Sequence, residues 1–253
     1  MRRVLIVAGL IVTTLGTSSC LAVAPPGAHM SPPVAVDDFC TRLAQVTCDG
    51  FEQCCDDAAT RMAAPDHTRC VQMIQSGCTS GMYSLSTLIH DPRTGYDPFV
   101  AGQVIADAER YVATCDPTIV VWAARRDGFE RALTGTVGPG GNCVNGNPIA
   151  NYPALFSCED LTESCILDTS ATRGTCAAHL GLHARCFLDF DCGDSMYCAP
   201  QVLTSTCEPR LANGGACNHD GSDRATWCQS SFCHAGACAT PTRTNVYCGY
   251  AVF

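Results

Sequence analysis

A spacing of cysteines constrains this chain more than any other feature. Cys176, Cys207 and Cys238 are separated by 31 and 31 residues, and Cys186, Cys217 and Cys248 are separated by the same intervals. A fixed period of this length marks a tandem repeat, in which each unit is one small supersecondary motif. The second unit holds Cys186, Cys192, Cys198 and Cys207, and the third holds Cys217, Cys228, Cys233 and Cys238. Cys143, Cys158, Cys165 and Cys176 form a longer first unit whose extra residues precede Cys158. Cys248 opens a truncated fourth unit. Glycine-led approaches recur at Gly140-Gly141-Asn142-Cys143 and Gly214-Gly215-Ala216-Cys217. Units this small bury too little apolar area to fold unaided. Two bridges per unit, each contributing roughly 2–4 kcal/mol, would supply what the core lacks. Four cysteines allow three connectivities, and spacing does not choose among them.

The whole chain carries 21 cysteines in 253 residues, which places it at the composition of a disulfide scaffold. Such scaffolds belong to oxidising compartments, and the N-terminus carries a matching address. Arg2 and Arg3 precede an apolar run over residues 4–15, too short for a bilayer span of ~20 residues and suited to a secretory signal. Residues 1–19 therefore read as a signal peptide. Leu15-Gly16-Thr17-Ser18-Ser19-Cys20 resembles a bacterial lipobox, with Thr17 where leucine is usual, and makes Cys20 the lipid-attachment residue. The competing cut after Ala22-Val23-Ala24 would place Pro25 at the new terminus, which signal peptidases accept poorly. A lipidated Cys20 carries more than one acyl chain, enough for stable anchoring. The expected location is the cell envelope, as an outer-membrane or cell-surface lipoprotein, with secretion as the alternative.

Residues 20–36, with Pro25, Pro26, Pro32 and Pro33, read as a tether. Residues 37–137 read as a helical domain of four helices. Phe39, Leu43, Val46 and Phe51 recur at helical intervals after Asp37 and Asp38, which can cap. Cys70, Ile74, Cys78, Met82, Leu85 and Ile89 continue the pattern over residues 66–89. Asp97-Pro98 and Asp116-Pro117 are paired start signals, an aspartate cap before a proline. The second start predicts a fourth helix with Trp122 and Phe129 in the core and Arg125 and Arg126 on its wet face. Cys40 and Cys48 are eight apart, as are Cys70 and Cys78. Two antiparallel helices could thus be riveted by Cys40–Cys78 and Cys48–Cys70, unless the equal spacing is coincidence. Residues 138–253 form the repeat domain, with units over about 143–176, 186–207 and 217–238 and the truncated one from 248. The fold class is small and disulfide-rich, a disulfide-pinned helical domain followed by irregular or short-β repeats.

Parity adds one expectation. The helical region holds seven cysteines, namely Cys40, Cys48, Cys54, Cys55, Cys70, Cys78 and Cys115, while three complete units hold twelve. Strain opposes a bond between adjacent Cys54 and Cys55, so Cys115 takes one of them and Cys248 the other. A free or intermolecular Cys248 is the rival.

The segment from Cys186 to Cys198, with Asp191-Cys192-Gly193 and Tyr197-Cys198 inside it, resembles the core of Dickkopf-type N-terminal cysteine-rich modules. Such modules also occur in bacterial cysteine-rich lipoproteins with a helical N-terminal part. The resemblance covers about residues 140–240. In the animal family it implies extracellular protein binding in receptor signalling, but no matching contact residues carry those partners over.

Chemistry-bearing motifs are sparse. There is no G-x-S-x-G, H-E-x-x-H, phosphate loop or C-x-x-C. His179 and His183, between Cys176 and Cys186, are weak metal candidates. Asp189, Asp191 and Asp194, and Asn218, Asp220 and Asp223 around Gly221, could offer hard oxygen ligands to calcium, although neither set matches the EF-hand loop. The formal charge of −9, becoming −11 once Arg2 and Arg3 leave with the signal, argues against nucleic acid. The expectation is a non-catalytic binding or structural protein without cofactor. It would meet the membrane through its anchor and an extracellular protein or glycan as ligand. The alternatives are an extracellular enzyme or inhibitor and a metal-binding protein.

Overall fold

A computed structural model describes residues 31–55, 66–80, 84–125, 128–144, 156–168, 172–200, 204–219 and 222–248. The segment expected to be a signal peptide, Cys20, Met82, Arg126, Asp220 and Gly221 lie outside these residues.

The helical layer is built on α1 (Val36–Cys54), whose Phe39, Cys40, Leu43, Val46, Cys48 and Phe51 are buried. These positions recur every three or four residues, so one stripe faces the core. Asp37 and Asp38 do not cap it. The N-cap is Ala35, and both aspartates sit in the first turn, where they face the positive end of the helix dipole. Helix α2 (His67–Thr79) packs on α1, capped by Asp66, whose carboxylate accepts from the Arg69 N–H at 2.7 Å. Cys40 is bonded to Cys78 and Cys48 to Cys70, with Cα separations of 5.7 and 5.9 Å. The eight-residue spacing thus does rivet two helices.

Two of the expected helices are shorter than their apolar periodicity. The helix over 66–89 ends at Thr79, and a second, α3 (Leu85–Ile89), starts with Ser84, whose side chain accepts from the Thr87 N–H. That cap competes with continued helix. Helix α4 (Pro98–Ala113) starts as expected, the Asp97 carboxylate accepting from the N–H groups of Phe99 and Val100. The helix after Asp116-Pro117 does not extend to Leu133. Asp116 closes a tight turn onto the N–H and hydroxyl of Thr118, and α5 (Ile119–Ala123) lasts five residues. Phe129–Ala132 is a 3-10 turn, and β2 (Leu133–Gly135) pairs antiparallel with β1 (Thr94–Tyr96). Trp122 packs against the helical core from a partly buried position.

The stretch expected to be a proline-rich tether is packed on the helical layer before residue 36. Val34 is buried, its N–H donates to the Pro98 carbonyl at 2.9 Å, and its carbonyl accepts from the Tyr96 hydroxyl at 2.9 Å. Burial of Val34 against α4 outweighs the flexibility that the prolines suggest.

The three repeat units share one covalent pattern, first cysteine to third and second to fourth. The bonds are Cys143–Cys165 and Cys158–Cys176, then Cys186–Cys198 and Cys192–Cys207, then Cys217–Cys233 and Cys228–Cys238. In each unit the third and fourth cysteines face each other across a hairpin. The hairpins are β3 (Glu163–Leu167) with β4 (Gly174–Ala178), β6 (Met196–Ala199) with β7 (Ser205–Pro209), and β10 (Cys233–His234) with β11 (Ala237–Cys238). Unit two adds β5 (Arg185–Cys186) beside β7, and unit three adds the small pair β8 (Asn218–His219) and β9 (Ser222–Asp223).

Backbone bonding repeats as well. Val137, Leu180 and Leu211 donate their N–H to Ser157, Asp191 and Trp227, the residues before the second cysteine of each unit. Gly140, His183 and Gly214 hold equivalent left-handed turns at φ of +72°, +62° and +88°. Each unit's core is its four buried cysteines with one to three apolar neighbours.

The fourth unit does not form. Residues before Cys248 make α6 (Arg243–Tyr247), capped by Thr242, so Asn245 is helical where the other units hold a left-handed residue. Cys54 pairs with Cys115, and Cys55 with Cys248. Tyr247 fits against Gly50 of α1, where an added Cβ would lie 3.2 Å from its ring. Its hydroxyl donates to the Asp116 carbonyl at 3.0 Å. Phe156, Phe232, Val246 and Tyr247 all join the helical core, so the described residues of the helical layer and the repeats make one compact unit.

Candidate functional site

Three sets of sulfur atoms are gathered tightly enough to suggest a metal centre, one in each repeat unit. They are Cys143, Cys158 and Cys176; Cys186, Cys192 and Cys207; and Cys217, Cys228 and Cys238. Each set is the crossing of two disulfides, so its sulfurs are oxidised and offer no thiolate. Among the described residues no other such cluster of His, Cys, Asp or Glu is present.

The two histidines proposed as metal ligands are held apart by different partners. His179 Nδ1 lies 3.1 Å from both the Phe190 carbonyl and the Ser164 hydroxyl. His183, in the left-handed turn, places Nδ1 3.0 Å from Glu208 Oε1. That contact holds the Glu208 carboxyl below its usual range. The acidic set of unit two is likewise divided. Asp191 is buried, and its Oδ2 accepts from the N–H groups of Phe187 and Leu188 at 2.7 and 3.0 Å. Burial still pushes its carboxyl above the ordinary value, against those two bonds, and Oδ1 has no hydrogen-bond partner. Asp189 accepts from the Cys198 N–H at 2.8 Å and from the Thr226 hydroxyl at 2.6 Å, tying unit two to unit three. Of the second calcium set, Asn218 and Asp223 are partners in the β8–β9 register, and Asp220 lies outside the described residues.

Between these groups lies a cavity of about 70 Å³. His179 enters it from the strand end after β4, Asp189 and Phe190 from a 3-10 turn, and Asp194 from the residues after Cys192. Arg210 enters from the end of β7, and Thr226 from the 3-10 turn Ala225–Trp227. Ala124, just past α5, completes one wall, so the helical layer and two repeat units share the lining. Arg210 is partly buried. Its Nε is buried with no partner, and no side-chain bond or ion pair holds its guanidinium among the described residues. Desolvation lowers its pKa, the nearby Asp189 and Asp194 oppose this, and Arg125 adds to it.

On the other side of the Ala124–Arg125 turn lies a shallow groove of about 210 Å³ lined by Tyr111, Thr118, Val121, Trp122 and Arg125. The Tyr111 and Trp122 rings are 5.7 Å apart and tilted by 36°. Arg125, expected on a wet helix face, is exposed as expected but lies past the end of α5, at the border of this groove.

Arg210 and Thr226 escape a motif search, yet the repeat register marks one of them. Arg210 and His179 are equivalent, each one residue before the aliphatic position that bonds to the next turn. Aligning the units on their cysteines brings the two side chains to one column, which is the signal that could have found them. Comparison with known proteins returns no matching family model, no matching curated protein and no matching solved structure.

Proposed function

We propose that this is an exported protein, anchored at the cell envelope by a lipid on Cys20, whose role is non-catalytic binding or surface structure. One observation carries the reading. Twenty of the 21 cysteines are closed in ten disulfides within the chain, and Cys20 alone stands outside them. Disulfides on this scale accord with export to an oxidising compartment. No described helix is long and apolar enough to cross a membrane, so attachment falls to the N-terminus. With every other sulfur bonded, a thiol nucleophile or a thiolate metal site has no residue to use. The resemblance to Dickkopf-type modules, which in the animal family implies extracellular protein binding, supports the same reading without naming a partner.

The test is mass analysis of the membrane-extracted protein, intact and after reduction. The expected mass corresponds to a diacylated or triacylated Cys20 with ten disulfides. A soluble chain beginning at Pro25 would end the lipid-anchor reading, and free thiols at repeat cysteines would revive the metal-binding alternative.

A further inference from the structure

We infer that this chain matures through thiol–disulfide isomerisation, and that the partner it meets on folding is an isomerase presenting a reactive thiolate. The inference rests on the export reading, which supplies the oxidising compartment, and it names the class of reaction that must produce the native bonds.

The order of the cysteines carries the argument. None of the ten disulfides joins two cysteines that are neighbours in sequence order; each passes over at least one other cysteine. An unstructured chain prefers the opposite, because closing a loop costs more entropy as the loop lengthens. Cys186 and Cys192 are six residues apart, against twelve for the native Cys186–Cys198, which favours the wrong partner about threefold. Cys70 and Cys78, eight apart, compete likewise with native spans of 22 and 38 residues.

Local structure does not correct this bias. The hairpins set Cys165 opposite Cys176, Cys198 opposite Cys207 and Cys233 opposite Cys238. Directly opposed residues have Cα atoms about 4.5–5.5 Å apart, within disulfide reach. Each hairpin, once formed, therefore offers a bond that the native protein does not contain. The sulfurs of Cys186, Cys192 and Cys207 all lie within 4.8 Å of one another, as do those of Cys217, Cys228 and Cys238. Crossed and uncrossed pairings thus compete inside one compact unit, and exchange has to choose between them. Synthesis order adds an attacking thiol, since the N-terminal part emerges first. Once Cys115 has emerged, seven cysteines are present, and Cys55 still awaits a partner 193 residues away. Its thiolate can attack any early bond until Cys248 arrives.

In the corrective step the isomerase thiolate attacks one sulfur of a wrong bond. That S–S bond breaks, a mixed disulfide forms, and the other cysteine leaves as a thiolate. A second thiolate of the chain then attacks the chain's sulfur in the mixed disulfide, closing a new pair and returning the isomerase thiolate. No electrons are gained or lost. The bonds are first made by a disulfide oxidant, which takes two electrons and two protons per bond and becomes a dithiol. Burial ends the process. The repeat cysteines are at most 8 % exposed in the native fold, out of reach of a further thiolate.

The experiment starts from the full mature chain, reduced and denatured, then diluted into detergent buffer with excess diamide. Mass mapping should find bonds between neighbouring cysteines, Cys186–Cys192 among them, and about one chain in ten or fewer fully native. Reduced glutathione with protein disulfide isomerase should then raise the native fraction at least tenfold, and at least tenfold faster than glutathione alone. Isomerase with its attacking cysteine replaced by alanine should do no better than glutathione. Native bonds throughout after diamide alone, or equal recovery with and without active isomerase, would overturn the inference. So would a scrambled product that the isomerase does not convert. Refolding in a tube is indifferent to the lipid on Cys20, so these outcomes leave the anchor reading untouched. A soluble chain beginning at Pro25 would end that reading and leave this inference in place.

Discussion

The helical layer and the repeat units both contain buried disulfides, yet the bond does different work in each. In the helical layer Phe39, Leu43, Phe51, Val104 and Ile119 are buried among one another, and Cys40–Cys78 and Cys48–Cys70 fasten helices that already bury an apolar stripe. In a repeat unit, the four cysteines with Leu180 and Met196, or with Leu211 alone, are nearly the whole interior. The sulfur there replaces the aliphatic core instead of reinforcing it. A chain can thus place residues 186–238 in a fold with few large apolar side chains, provided it folds where thiols oxidise.

Substitutions should separate the two roles. The largest effect is expected from Phe51→Ala, which empties a site 2 % exposed at the centre of the helical layer. A loss of about 3–5 kcal/mol is typical of such a truncation, and denaturant unfolding followed by helical circular dichroism would measure it. Removing one repeat bridge, by Cys228→Ser with Cys238→Ser, should cost about 3 kcal/mol and act locally. Hydrogen exchange would then show residues 211–238 opening while α1 and α4 stay protected. Loss of α1 protection in that variant would break the distinction between the two cores.

A smaller effect concerns pH. Burial raises the Asp191 carboxyl above its unfolded value, so the native state binds the proton more readily than the unfolded chain does. Its contribution is fully present below the unfolded pKa and is lost as pH rises through the raised native value. Asp191→Asn should therefore flatten the fall in stability between pH 4 and neutrality, as read by thermal melts across that range. An unchanged slope would mean that Asp191 is not the group responsible.

Smallest is His183→Gly, which gives unit two the glycine that units one and three use at the same turn. Relief of the left-handed backbone should raise stability by about 1 kcal/mol, less what the lost His183–Glu208 contact contributes. A melt that falls would show that the histidine, not the turn, holds this corner.

Covalent arithmetic was the legible part of this molecule. Equal spacing placed Cys40 with Cys78 and Cys48 with Cys70, and parity sent Cys248 back to the adjacent cysteines, because a count of bonds does not depend on local conformation. Periodicity was a poorer guide. It carried one helix through Thr79 to Ile89 and another past Ala123, since it registers which face is apolar and not where Ser84 or Asp116 turns the backbone. The 31-residue interval likewise announced a fourth unit at Cys248. It was blind to Asn245, which suits a helix as well as a turn. The cavity was hidden for a different reason: its walls come from residues 124, 179–194, 210 and 226, and only the packing of units brings them together.

The bond between Cys55 and Cys248 also governs how the molecule carries a pull. Tension applied at Ser31 and at Cys248 travels along the first 25 described residues and then crosses the disulfide, bypassing the chain between two cysteines 193 residues apart in sequence. The taut path is about 85 Å, where the uncrosslinked chain would pay out to about 740 Å. Three further bridges, at Cys40, Cys48 and Cys54, leave that short path and hold α1 from the side. Stretched from its ends, the molecule acts as a short inextensible link. Its repeat units hang from that link in a loop that bears no load.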